Sequence, residues 1–202
     1  MKKILINFAH PARQKSTVNR GLINAASELN SVTVNDLYRH YPDFAIDVKR
    51  EQHLCETHDI IVFQHPFYWY STPAIVKEWM DLVLEHGWAY GKQGNALKDK
   101  YTFQAISTGA DESTYYEDGA NGFTLDSLTS PFHATVTLCK MKKLPPFLVN
   151  GVHRGMAKDK LAEHTKCYQN LLAKLSDDST DIDAAISSGL LNNIQLITGE
   201  DK

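Results

Sequence analysis

Three short segments hold the residues whose types and spacing suit chemistry. The first, His10-Pro11-Ala12-Arg13-Gln14-Lys15-Ser16-Thr17-Val18-Asn19, lies between an apolar run and a helical pattern. A helix start presents unpaired N–H groups and a partial positive charge, which is the electrostatic setting of a phosphate site. Ser16 and Thr17 add hydroxyls and Asn19 an amide. The plainer role, still open at this point, is that Ser16 or Thr17 only caps the helix. The segment lacks G-x-x-x-x-G-K-[ST] and G-x-G-x-x-G, so it is neither a triphosphatase loop nor a dinucleotide fingerprint. The second segment, Gln64 to Pro73, carries Phe67-Tyr68-Trp69-Tyr70. Consecutive aromatic residues in a loop suit a flat ring ligand by stacking, or else plug the space beneath the next helix. The third, Ser107-Thr108-Gly109-Ala110, is small enough for backbone to approach a ligand, or is an ordinary turn. Each is weak alone; together they offer a phosphate cradle, an aromatic shelf and a small-residue edge.

These segments need elements that bring them to one place. Ile4 to Ala9 and Ile60 to Phe63 are short runs, apolar on both faces as in buried parallel strands, and Val32 to Val34, Tyr101 to Ile106 and Phe147 to Val149 complete five strands. Between them, Val18, Leu22, Ala25, Ala26 and Leu29 recur at helical spacing. Asp47 caps a short helix through Cys55. Thr72-Pro73 opens a helix that Gly87 ends, and a further helix covers Leu125 to Cys139. Leu161 to Leu175 form the last long amphipathic helix. Strand–helix alternation predicts an α/β fold, a doubly wound five-stranded parallel sheet with helices on both faces. Such sheets bind ligands beyond the carboxyl ends of their strands, so the loops after strands one, three and four share one rim. The expected division is a domain over 1–175 and a tail over 176–202. In the tail Asp177 to Asp181 is a polar linker, and Ile182 to Ile197 a short helix docking on a neighbour.

The net charge of −3 and the absence of interleaved basic and aromatic residues exclude a nucleic-acid binder. The basic run Lys140 to Lys143 reads as a solvated turn. Cys55, Cys139 and Cys167 are odd in number and far apart, which argues against disulfides and zinc and for a reducing cytoplasm. Nine histidines without H-E-x-x-H or a Cys/His cluster give no metal site. His65, His86 and His133 read as packing residues, and Trp79 and Met80 as core.

Ala9-His10-Pro11, Tyr41-Pro42-Asp43-Phe44, Gln64-His65-Pro66, Trp69-Tyr70-Ser71, His86 to Gly91 and Leu144-Pro145-Pro146-Phe147 carry a likeness spanning about Lys3 to Leu175. On these residues the chain resembles the flavodoxin-like NAD(P)H:quinone oxidoreductases, the DT-diaphorase-like enzymes. Within them it is most similar to the ancillary oxidoreductases of glutathione-gated potassium-efflux systems. The resemblance implies FMN rather than FAD and a homodimer with sites near the subunit interface. It also implies ping-pong turnover, in which NAD(P)H and then a quinone exchange hydride with flavin N5. It assigns His10, Ser16, Thr17, Val18 and Asn19 to the phosphate and ribityl chain. Pro66, Phe67, Tyr68 and Trp69 fall to the isoalloxazine shelf, and Ser107, Thr108, Gly109 and Ala110 to the pyrimidine end. Tyr115 stands at the spacing of the family's relay Tyr. The relay His position is Asn121, which cannot take up a proton, and Ala110 replaces a second Gly. The likeness also implies a second role, as a regulatory subunit of a potassium-efflux antiporter on the cytoplasmic face of the inner membrane. A third reading, a one-electron carrier, predicts an acidic docking rim that the charge of −3 does not supply.

Overall fold

The computed structural model describes residues 1–186 and 189–192. Strands β1 (Ile4–Phe8), β2 (Val32–Asp36), β3 (Ile60–Pro66) and β4 (Tyr101–Ser107) pair in parallel in the order β2-β1-β3-β4. The next position beside β4 is shared by two short strands. β5 (Lys142–Lys143) pairs with Tyr101 and Thr102, and β6 (Phe147–Val149) with Ala105 to Ser107. Pro145 and Pro146 have no N–H to give to a ladder, so the fifth strand breaks there and the sheet has six strands in five places. The basic run is therefore not a free turn: Lys142 and Lys143 pair with β4, and Lys140 Nζ donates to Gly94 O and Asn95 Oδ1.

Alternate residues of β1 face opposite layers. Ile4, Ile6 and Phe8 enter one core with α1 (Thr17–Ala26) and α7 (Lys158–Ser176), while Leu5 enters the other. That second core is closed by α2 (Leu37–His40), α3 (Val48–Glu56), α4 (Ala74–Val83) and α6 (Ser130–Leu138). Asp47 caps α3 through Arg50 N–H. In the same layer Glu51 is wholly buried, accepting from Asn35 Nδ2 and Tyr41 Oη at 2.6 Å and from Trp79 Nε1 at 2.7 Å, with Arg50 as counter-ion. This knot ties β2, α3 and α4 together.

Several boundaries differ from the sequence reading. Pro73 is the N-cap of α4 with ψ 148°, Thr72 makes no cap bond, and the helix ends at Val83, four residues before Gly87. Leu84 leaves helical geometry there, and Gly87 serves instead, at φ 85°, in the loop that buries Ala89. The single helix expected over Leu125 to Cys139 is two, α5 (Leu125–Leu128) and α6. Pro131 cannot donate to Ser127 O, so the chain restarts after Thr129. In the tail only α8 (Ile182–Ala185) is helical; 187–188 and 193–197 lie outside the described residues. Ile182, Ala185 and Leu191 sit in the chain's own core beside α1 and α7, not on a neighbour. Asn192 Oδ1 accepts from Leu148 N–H at 2.8 Å and its Nδ2 donates to Leu148 O at 2.7 Å, so one side chain takes a strand's place along β6. Among the described residues no helix is long and apolar enough to cross a membrane.

Candidate functional site

The carboxyl ends of β1, β3, β4 and β6 open on one side of the sheet, and a cavity of about 540 Å³ lies there. The β1 loop supplies His10, Lys15 and Ser16 to Asn19; the β3 loop supplies Pro66, Phe67 and Tyr68; the β4 loop supplies Ser107, Thr108 and Gly109. Eleven of the fourteen residues expected at the site thus line a single space, Tyr115 packs against one of them, and Trp69 and Ala110 do not line it.

The β1 loop is built as an anion cradle. Ser16 Oγ accepts from Asn19 N–H at 3.1 Å, so Ser16 caps α1 and keeps its own hydroxyl hydrogen free to donate. The N–H groups of Thr17 and Val18, at the first helical positions, have no partner among the described residues. Arg13 is spent on Asp36 at 2.8 Å, whereas Lys15 has no ion-pair partner among the described residues. His10 Nδ1 accepts from Ala12 N–H at 3.1 Å, which fixes the proton on Nε2, 3.5 Å from Tyr68 Oη. Burial holds the His10 pKa below its usual value, so the ring is a neutral Nε2–H donor.

Asn19 is the hinge of the arrangement. It is 2% exposed; its Nδ2 donates to Ser107 Oγ at 2.7 Å, and its carbonyl accepts from Gln64 Nε2 at 3.1 Å. Its Oδ1 has no hydrogen-bond partner among the described residues. A buried acceptor left open beside an anion cradle calls for a hydroxyl donor on the ligand. A ribityl chain has such hydroxyls next to its phosphate, so the residues present fit FMN. Phe67, Val152 and Met156 give apolar walls for a ring. The N–H groups of Gly109 and Ala110 have no partner among the described residues, while that of Thr108 is spent on Val149 O at 2.9 Å. The amides able to meet a ring's polar edge are therefore those of 109 and 110.

Two expected shelf and edge residues, Trp69 and Ala110, are not among the residues that line the cavity. Tyr68 and Ser71 exchange backbone bonds at 3.0 Å, closing a two-residue hairpin with Trp69 at φ 51° and Tyr70 at φ 61°. That geometry turns the Trp69 side chain out, 93% exposed. Ala110 keeps a negative φ, so its methyl is accommodated, and its carbonyl accepts from Gly151 N–H. Tyr115, in a 3-10 turn over Glu112–Tyr115, packs edge-on behind Phe67 at 6.0 Å. Burial raises its phenol pKa, partly offset by a hydrogen bond with Thr108. Asn121 faces Tyr70, whose hydroxyl donates to it at 3.3 Å. His65 lies behind the shelf, wholly buried, its Nδ1 on Pro66 O at 3.0 Å and its Nε2 on Gln104 at 3.1 Å, with burial pushing its pKa down to about 4.

The sequence reading missed the loop after β6. Val152, His153, Gly155 and Met156 form the fourth wall of the cavity. Its signal was available: Phe147 to Val149 is a parallel strand whose carboxyl end reaches the same rim, followed by the turn pair Asn150-Gly151.

Comparison with known proteins agrees with this architecture. The profile of a family described as having a flavodoxin-like fold matches residues 2–172. The glutathione-regulated potassium-efflux system ancillary protein KefG of Enterobacter sp. is 46% identical over 171 residues, 85% of this chain and 93% of that protein. General stress protein 14 of Treponema denticola, solved in complex with FMN, has a TM-score of 0.78 at 38% identity, over 86% of this chain and 97% of that one. An NADPH-quinone reductase from P. pentosaceus has a TM-score of 0.76 at 29% identity, over 87% and 98%. The strand order, the rim cavity and these matches lead to one conclusion: the chain belongs to the flavodoxin-like fold family, among relatives that include KefG proteins and quinone reductases.

Proposed function

We propose that the protein is an FMN-dependent NAD(P)H:quinone oxidoreductase. The observation that carries this reading is the open acceptor Asn19 Oδ1, buried between a phosphate cradle and an apolar ring slot. Bound FMN would supply hydride chemistry at its N5, accepting from NAD(P)H and delivering to a quinone in turn. The protein's part is position and electrostatics. Lys15, Ser16 and the N–H groups of Thr17 and Val18 hold the phosphate, and Asn19 Oδ1 accepts from the ribityl chain. Phe67 and Tyr68 wall the ring, and the N–H groups of Gly109 and Ala110 meet negative charge at its pyrimidine end. Tyr115 keeps its proton at Oη against Thr108, one ring behind the shelf. One cradle for one phosphate favours FMN over FAD.

The apolar groove between α4 and α6, about 380 Å³ and lined by Met80, Leu84 and Leu138, is where a second copy would dock to form the expected homodimer. The KefG likeness favours a second role at the cytoplasmic face of the membrane, as an ancillary subunit of a potassium-efflux antiporter. Both roles can reside in one chain. The test is a purified sample mixed with excess FMN, then with NADPH with and without benzoquinone. A stoichiometric yellow complex whose NADPH oxidation depends on the quinone supports the reading. A protein that stays colourless refutes it. FMN uptake without NADPH oxidation, together with raised antiporter flux, leaves only the regulatory role.

A further inference from the structure

The fourth wall of the cavity is fastened to the loop after β4 along its length. Gly151 N–H donates to Ala110 O at 2.9 Å, Val152 N–H to Thr108 O at 3.0 Å and His153 N–H to Gly109 O at 3.2 Å. Thr108 Oγ1 donates to Asn150 Oδ1 at 2.7 Å, and Arg154 pairs with Asp111 at 2.6 Å. Two segments joined by a ladder and an ion pair move as one piece, so the His153 ring is delivered to a set place.

That place is the open face of Gly109. A Cβ on Gly109 would lie 2.0 Å from His153 Cδ2 and 2.5 Å from Nε2. Gly109 has a negative φ, so what glycine provides here is room, not backbone freedom. The imidazole fills the volume that any other residue at 109 would take, and it borders the same cavity as Phe67 and Asn19. Its ring nitrogens have no partner among the described residues. Beside it stand the unpartnered N–H groups of Gly109 and Ala110. The imidazole and these two amides therefore lie along one stretch of the rim. By contrast Asn121, where the family's histidine was expected, is turned to Tyr70 and outside the cavity wall.

We infer that His153 is a cofactor-facing residue of this site, an imidazole N–H donor that holds the negative charge arising at the pyrimidine end of the flavin ring on reduction. The inference rests on the FMN reading above. Preorganised donors stabilise developing charge without having to reorganise. The imidazole adds a side-chain donor to the two backbone amides at this place. His153 thus sets how much more tightly the site holds the reduced ring than the oxidised one.

The experiment is the two-electron midpoint potential of the FMN-loaded protein, measured against a reference dye, for the wild type and for H153A, H153Q, G109A and G109A/H153A. His153 is exposed at its outer side, so its replacement leaves folding intact. Expected in H153A is about a tenfold loss of preference for the reduced over the oxidised ring. For a two-electron couple that is a fall of about 30 mV. G109A, whose new methyl displaces the imidazole, shows the same fall; the double variant falls no further, and H153Q recovers part of it. FMN uptake with a potential unmoved in both H153A and G109A overturns this inference alone. A wild-type protein that takes up no FMN overturns the parent reading and this inference with it.

Discussion

Replacing Asn19 with leucine, its near-isostere, separates a ligand contact from a structural tie. In the unliganded protein two effects oppose one another. Ser107 Oγ, 6% exposed, loses the 2.7 Å bond from Asn19 Nδ2, a loss of about 1 kcal/mol. The unpartnered Oδ1 disappears at the same time, which returns about 1–3 kcal/mol less whatever cavity water already satisfies. The bond from Gln64 survives, because it ends on the backbone carbonyl of residue 19. The net change in unliganded stability is therefore within about 1 kcal/mol, or about 2–4 °C in Tm for a chain of this size. The complex has no such compensation. Its ribityl hydroxyl faces a methyl group, at a cost of about 2 kcal/mol, and the Kd for FMN rises about thirtyfold. Titration of FMN fluorescence gives the Kd, and a thermal melt of the unliganded protein gives the stability. An unchanged Kd beside a Tm lowered well beyond that range would show Asn19 to be only a tie between loops, and the placement of the ribityl chain would be wrong.

Removing the cap with S16A loses the bond to Asn19 N–H, so stability falls by about 1 kcal/mol in a urea melt, and FMN phosphate binding weakens in the same titration. Glu51→Leu strands donors from Asn35, Tyr41 and Trp79 and the Arg50 charge. It costs about 3–5 kcal/mol in denaturant unfolding, and a smaller loss than that of a surface control would refute the knot. Stability also depends on acid. Burial lowers the His65 pKa from 6.5 to about 4, so the folded state excludes a proton that the unfolded chain binds. The stabilisation is complete above pH 6.5 and is lost as pH falls toward 4, by about 3 kcal/mol. His10, His58, His133 and His164 are lowered by burial too, and act in the same direction. Urea midpoints measured across that window fall with acid in the wild type and fall less in H65Q.

The strands that position the site were legible because β1 and β3 are apolar on both faces, which only a sheet covered on two sides requires. The rim rule then placed the first three loops correctly. What failed was governed by single groups that periodicity does not register. Pro131 restarts a helix that looked continuous, and Lys142-Lys143 pair with β4 ahead of Pro145-Pro146, where only a solvated turn was expected. Trp69 reads as shelf in a run of aromatics, yet two positive φ angles send its side chain outward. Asn192 satisfying both polar groups of Leu148 is a contact 44 residues apart, which no local pattern encodes. His153 was passed over because its neighbours carry no motif, and its meaning comes only from the bare Cα of Gly109 opposite.

The Asn192 amide also limits how this protein can associate. An open sheet margin is a template for another chain, and this molecule starts with two. At one of them the Asn192 amide already occupies both the N–H and the C=O of Leu148, and Leu191 N–H occupies Pro146 O nearby. A visiting strand would have to evict a segment whose Ile182 and Leu191 are sunk into the interior. Intermolecular pairing of backbones is thereby obstructed along β6, whereas no such cover lies on the β2 margin among the described residues.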